Sequence, residues 1–337
     1  VAPSLSLIDF CTVHENERPR DSLARSVELA QRAESLGFHR MWYAEHHNMP
    51  SITSSAPAVL ISHVGAHTSS IRLGAGGVML PNHSPYVIAE QFGMLEELYP
   101  GRIDLGLGRA PGTDMHTLGR ALRRDAHAAE NFPHDVAELS GYLSEESPLP
   151  GVQAVPGHGT HVPLYILGSS MFGASLAAKL GLPYAFASHF APTHLRAATA
   201  YYRENFRPSA RLSEPYVIAA VNVTASDTHE DAQRQHREML RERVRTLAAR
   251  GNRDISDANL DQLVASPSGQ QIAEMLHYSA VGTGAEVRDY LADFSQLAQA
   301  DELMISVLAP TGAENLRAMD ILAQAWGLAR REAGDLT

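Results

Sequence analysis

The chain has almost no lysine and almost no cysteine. Among 337 residues there is one Lys, Lys179, and one Cys, Cys11. A single cysteine excludes an internal disulfide framework and fits a reducing cytosol. Cys11 closes the first apolar run and reads as a small buried side chain rather than a reactive thiol. The scarcity of lysine removes most lysine chemistry, since a Schiff base needs an amine. Positive charge is short overall: 27 Lys and Arg face 38 Asp and Glu, for a net charge of −11. Such a surface repels nucleic-acid phosphates. No apolar run reaches the roughly 18 residues that a membrane-spanning helix needs, and residues 1–9 lack the basic start and cleavage pattern of a signal peptide. No Gly-x-Gly-x-x-Gly fingerprint follows a strand with a trailing acidic residue, so the sequence gives little support for NAD(P)H binding.

What is present is regular. Apolar, β-branched or aromatic runs recur at 5–9, 40–44, 71–75, 103–108, 164–167, 184–188, 216–223 and 302–307. Most precede an amphipathic stretch. In the first, Leu23, Val27, Ala30 and Ala33 share one face, and Asp21 and Ser22 are cap candidates. It stops at Gly37, where a left-handed residue ends a helix; Gly181 and Gly251 repeat that ending. Strand and helix alternating throughout predict a parallel sheet, and eight such units favour a closed (β/α)₈ TIM barrel. The whole chain, 1–337, reads as one such α/β domain with two insertions. One follows strand 4 and carries a helix over 132–143. The other lies between strands 7 and 8, with a charged helix over 227–249 and a polar segment, 251–269, that suits a lid.

Barrel chemistry sits at the C-terminal strand ends. Strand 2 ends in Glu45-His46-His47, strand 3 in a glycine-rich run containing Gly76 and Gly77, and strand 4 in Gly108-Arg109. Strand 5 ends in Gly168-Ser169-Ser170-Met171-Phe172-Gly173, and strand 6 in Ser188-His189-Phe190. Glu45, His46 and His47 allow three uses: a hydrogen-bonded structural group, a metal site, or acid–base work. Adjacent residues on a strand point to opposite faces, which disfavours convergence on one ion. The turn from Ser169 to Gly173 opens a helix and offers backbone N–H groups and hydroxyls to an anion. Arg109 adds a forked cation suited to phosphate. Glycines at Gly76 and Gly77 permit a close approach and unusual backbone geometry.

These motifs resemble the bacterial luciferase-like flavin monooxygenases, in their branch without a known light reaction. The resemblance is carried by Ala44-Glu45-His46-His47, by Val78-Met79-Leu80-Pro81-Asn82-His83-Ser84-Pro85 and by Pro100-Gly101-Arg102-Ile103-Asp104-Leu105-Gly106-Leu107-Gly108-Arg109-Ala110-Pro111-Gly112. It continues through Leu167-Gly168-Ser169-Ser170 and Ser188-His189-Phe190. Two positions depart from the pattern: Ser169 stands where luciferase has a glutamate, and Gly282-Thr283-Gly284 replaces Gly-Thr-Pro.

The resemblance implies a (β/α)₈ barrel with reduced FMN (FMNH2) at its mouth. His46 takes the family's catalytic position, with His47 or Glu45 orienting it. Arg109, Ser169, Ser170, Met171, Phe172 and Gly173 take the phosphate-binding positions. Gly76-Gly77 takes that of a non-prolyl cis peptide against the isoalloxazine ring. The expected reaction is insertion of one oxygen atom of O2 into a small apolar or aromatic substrate through a flavin C4a-peroxide. Phe10, Phe172 and Phe190 suit such a substrate. A separate flavin reductase and a homodimer formed through the helix at 86–98 are the expected partners, with no metal, nucleic acid or membrane. The rival readings are a deazaflavin (F420)-dependent hydride-transfer enzyme, a non-catalytic flavin-binding protein, and a metal-dependent hydrolase built on Glu45, His46 and His47.

Overall fold

A computed structural model describes residues 2–125, 127–249 and 254–329. Its elements run β1 (Ser4–Asp9), α1 (Pro19–Leu36), β2 (Arg40–Tyr43), α2 (Pro57–Gly65), β3 (Arg72–Met79), α3 (Pro85–Leu98) and β4 (Ile103–Gly108). Next come α4 (Met115–Arg120), α5 (Phe132–Tyr142), β5 (Leu164–Gly168), α6 (Met171–Leu180), β6 (Tyr184–Phe186), α7 (Leu195–Asn205) and β7 (Val217–Ala225). The chain closes with α8 (His229–Leu247), α9 (Asp257–Ala265), α10 (Pro267–Met275), β8 (Ser279–Gly282), α11 (Gly284–Ala298), β9 (Glu302–Val307) and α12 (Gly312–Trp326). Every strand pairing is parallel. The order β1-β2-β3-β4-β5-β6-β7-β9 closes on β1, giving an eight-stranded (β/α)₈ barrel.

The expected barrel is present, with one strand more than the eight expected. β8 pairs only with the C-terminal end of β7, Ser279 opposite Asn222 and Gly282 opposite Ala225. Four residues between two helices are too short for alternation to show. β3 also runs on through Gly76 and Gly77 to Met79, and its register against β4 shifts between Ala75 and Val78. Gly37 caps α1 with a left-handed φ of 84°, as its position suggests. The other end of α1 differs from expectation. Its cap is Arg18, with Pro19 opening the helix, and Asp21 bonds back to the Arg18 N–H at 2.8 Å. Neither Asp21 nor Ser22 is the cap. The helix end expected at Gly251 lies outside the described residues, as do 251–253 of the segment read as a lid. The described remainder of that segment forms α9 and the first turn of α10.

Side-chain alternation sorts the interior. On β2, Met41 and Tyr43 face the helices and join the main apolar core, while Trp42 joins a second cluster with Tyr165, Ile218 and Met304 inside the barrel. Beneath that cluster lies a buried ionic layer. Arg40 donates to Asp104 at 2.7 Å and to Glu302 at 3.1 Å; Trp42, Arg72 and Tyr165 donate to Asp104, and Tyr216 donates to Glu302 at 2.7 Å. Gly74 makes room for this layer, since a Cβ there would lie 2.7 Å from Asp104 Cβ and 2.8 Å from Trp42 Nε1. The barrel is thus plugged from below, and its free end is the end where the strands finish. Cys11 is buried with its sulfur 3.3 Å from Ser26 Oγ, and burial and Asp9 push its thiol pKa up. It is an inert thiol.

Candidate active site

Glu45 follows β2 directly and is buried. Its Oε1 lies 2.7 Å from His47 Nε2 and 2.8 Å from His83 Nε2, and its Oε2 accepts the Met79 N–H at 2.8 Å. Burial alone would raise the Glu45 pKa. The bonds from His83, His47 and Met79 outweigh it and hold the carboxyl below its usual range. Glu45 therefore pins the end of β2 to the end of β3 and to the loop after it.

His46 points elsewhere, as alternation requires. Its N–H bonds to Ser54 O at 3.0 Å, and its ring lies against Phe10 with centroids 5.8 Å apart. Its Nδ1 is buried and has no partner among the described residues. Burial pushes the His46 pKa down. The structure thus separates Glu45 and His47 from His46: neither hydrogen-bonds its ring, so the expectation that they orient it by contact is not met.

Two residues given no role from the sequence complete this region. His83, 38 positions from Glu45, was visible only as part of a motif. His189, after β6, is buried and packs on Phe10 at 5.9 Å and on Phe190 at 4.8 Å. Burial drives its pKa down to about 3, and its Nδ1 too is buried without a partner. Asn222 on β7 donates to His189 O at 2.7 Å, while its own Oδ1 is buried with no partner among the described residues.

The neighbouring strand ends carry a second set. β4 and β5 pair side by side, so Arg109 and the start of α6 are neighbours. The Arg109 guanidinium carbon lies 4.0 Å over the Phe172 ring. Ser170 caps α6 in extended conformation, but its hydroxyl makes no cap bond. The Tyr184 hydroxyl holds the turn by donating to Ser170 O at 3.1 Å, and a Cβ added at Gly168 would lie 3.5 Å from the Gly173 Cα. Arg109, the hydroxyls of Ser169 and Ser170, and the first N–H groups of α6 form a donor set with no acceptor among the described residues. That set fits a phosphate.

Between the two sets lies β3, where the Gly76–Gly77 peptide is cis. A Cβ at Gly76 would lie 2.9 Å from Trp42, and one at Gly77 would lie 2.6 Å from Gly106 O, so neither position accepts a side chain. The end of β3 therefore presents bare backbone to the mouth. Among the described residues, the one trio placed to share a cation is His134, Asp135 and Glu138 on α5, away from the strand ends. No described helix is long and apolar enough to cross a membrane.

The comparisons agree with this geometry. The profile of the family described as "Luciferase-like monooxygenase" matches residues 7–300. A protein of Escherichia coli (strain K12) named "Luciferase-like monooxygenase" is 45% identical over 304 residues, covering 90% of this chain and 91% of its own. The crystal structure of apo-MsnO8 is 33% identical with a TM-score of 0.86, covering 98% of this chain and 100% of that one. The oxygenating constituent of 3,6-diketocamphane monooxygenase from Pseudomonas putida, in complex with FMN, shares the fold at 16% identity, with a TM-score of 0.73 over 96% of this chain and 98% of that one. The chain belongs to the luciferase-like monooxygenase family, and is an oxidoreductase of that flavin-dependent kind.

Proposed function

We propose that the chain is an FMNH2-dependent monooxygenase that places one oxygen atom of O2 on a small, largely apolar organic substrate. The observation that carries this reading is the acceptor-free donor set of Arg109, Ser169, Ser170 and the α6 N-terminus, one strand away from the bare backbone at Gly76 and Gly77. The first would hold a flavin phosphate, with Met171, Phe172 and Gly173 beside it, and the second leaves room for the flavin ring. A protein of the same fold in complex with FMN supports that choice of cofactor. Bound reduced FMN supplies the electrons that activate O2.

The chain's own residues supply position, dryness and a proton. His46, held neutral by burial beside Phe10, accepts or returns a proton at its ring nitrogen next to the substrate. Glu45 and His47 act indirectly, fixing the loop that carries His46. Phe10 and Phe190 exclude water from the space around His189. The missing dinucleotide fingerprint makes a separate reductase the source of FMNH2. Two copies would pair through α3, where Val87, Met94 and Leu98 are exposed apolar side chains; light scattering checks this.

The test is incubation with chemically reduced FMN under ¹⁸O₂ and a panel of thioethers, ketones and phenols. The expected result is product heavier by one ¹⁸O. Turnover with reduced deazaflavin, without label, would overturn the reading in favour of hydride transfer. FMN binding with neither outcome would leave a flavin carrier.

A further inference from the structure

We propose that Asn82 and Arg124 are positioning residues for Arg109, locking the loop after β4 so that the Arg109 guanidinium is held over the start of α6. This deepens the flavin-phosphate reading and rests on it, because Arg109 is the group that they present.

Arg109 follows β4 directly, and its exposed side chain crosses to Phe172 on α6. No regular structure holds residues 109–114, between β4 and α4. A loose loop would leave a long side chain unaimed, and ordering it would oppose every binding event. Neighbouring segments hold this loop instead. Arg124, four residues past α4, donates from Nη2 to Arg109 O at 3.3 Å and from Nη1 to Asn82 Oδ1 at 3.0 Å. Asn82 ends the short turn after β3, and its Nδ2 donates to Pro111 O at 2.9 Å. These three bonds close a ring around the backbone of residues 109–111. The next carbonyl, Gly112 O, accepts the His47 N–H at 2.9 Å. Beyond it, Asp114 accepts from Asn48 Nδ2 at 3.0 Å and from the Thr117 N–H at 2.9 Å, which caps α4.

Three features separate this ring from ordinary loop bracing. The first is where it grips. It takes the carbonyl of Arg109 itself and that of Pro111, so the backbone from which the side chain springs is fixed while the guanidinium stays outside the ring. The second is charge. Arg124 is half-buried, yet both its acceptors are neutral and no carboxylate meets it among the described residues. A guanidinium keeps its charge when buried, so a neutral side chain would brace the loop with less desolvation. A second cation beside Arg109 adds a repulsion that an arriving phosphate relieves. The third is the path of the chain. Arg123 adopts a left-handed φ of 55°, uncommon for a residue other than glycine, and the Arg124 N–H bonds back to Leu118 O at 3.2 Å. The turn thus accepts strain to bring Arg124 to its two acceptors. The residue types fit the task. The planar fork of arginine reaches acceptors on two separate segments, and the amide of Asn82 accepts at one end and donates at the other.

Calorimetric titration of FMN and of riboflavin into the full-length protein tests this. Asn82→Ala and Arg124→Gln should each cut the preference for FMN at least about fivefold, with riboflavin affinity within about twofold of wild type. Arg124→Lys, which keeps the charge and one bond, should lose less. In an Arg109→Ala background neither substitution should change the ratio further, because no guanidinium is left to aim. A purely structural brace would weaken both ligands alike, or move the urea midpoint and leave the ratio intact, and either result overturns the proposal. An equal loss with and without Arg109 overturns it too. Where one variant folds poorly, the other carries the test, and hydrogen exchange of the ligand-free proteins checks the loop itself. Residues 109–114 should exchange faster than in wild type while β4 does not, and unchanged exchange contradicts the ring. A wild type that binds FMN and riboflavin alike refutes the phosphate reading together with this one. A preference that survives both substitutions refutes this one and leaves the phosphate reading standing.

Discussion

The two ends of the barrel interior treat polar groups in opposite ways. At the lower end, Arg40, Arg72, Asp104 and Glu302 are bound to one another and to Trp42, Tyr165 and Tyr216. At the mouth, His46, His189 and Asn222 each keep a buried polar atom with no partner among the described residues, and the exposed Arg109 has no carboxylate partner among them. Burial is expensive for both groups. The lower layer offsets it internally, so it is structure. The mouth leaves it uncompensated, which a fold tolerates where a ligand completes the bonding.

Breaking the lower layer should cost the most. Asp104→Ala leaves Arg40 and Arg72 facing each other without their shared carboxylate, and should lower unfolding free energy by about 3–5 kcal/mol. A urea melt checks this, and a shift under about 1 kcal/mol would place this layer with the mouth. Substitutions at the mouth should instead spare stability and lose function. His46→Ala should reduce oxygenated product at least roughly tenfold, and by about 10²–10⁴ if the group contributes as acid–base groups typically do, with the melt unmoved. Unchanged turnover would sink that role for His46.

His189 joins the two ends through pH. Its folded pKa of about 3 lies below the ordinary 6.5, so in between the unfolded chain takes up a proton that the folded chain refuses. Its contribution is whole above pH 6.5 and falls by roughly 1.4 kcal/mol per pH unit below it. His14, His39, His46 and His236 are also depressed by burial and share the slope. His189→Asn should therefore make the loss between pH 6.5 and 5 shallower without abolishing it. The smallest effect belongs to the exposed pair Arg317–Asp227. Asp227→Asn should leave the urea midpoint almost unmoved, and high salt should erase even that difference.

Much of this contrast was legible in the sequence, but unevenly. Strand ends were, because alternation and glycine punctuate them: β4 and β9 fall at 103–108 and 302–307 as expected. The pairing of Arg109 with the Ser169–Ser170 turn followed from barrel order. β8 was not legible, because its four residues have no period to show. His83 as a partner of Glu45 was hidden by 38 residues of separation.

The central claim is that the unpaired donors of Arg109 and the Ser169–Gly173 turn are completed by a flavin phosphate. Its most direct measurement is calorimetric titration of FMN and riboflavin, which differ in that phosphate, into wild type and Arg109→Ala. Wild type should prefer FMN by roughly ten- to a hundredfold, the range for a charge-assisted bond of about 1.5–3 kcal/mol. Arg109→Ala should lose most of that preference while binding riboflavin as before. Equal affinity of wild type for FMN and riboflavin would contradict the account.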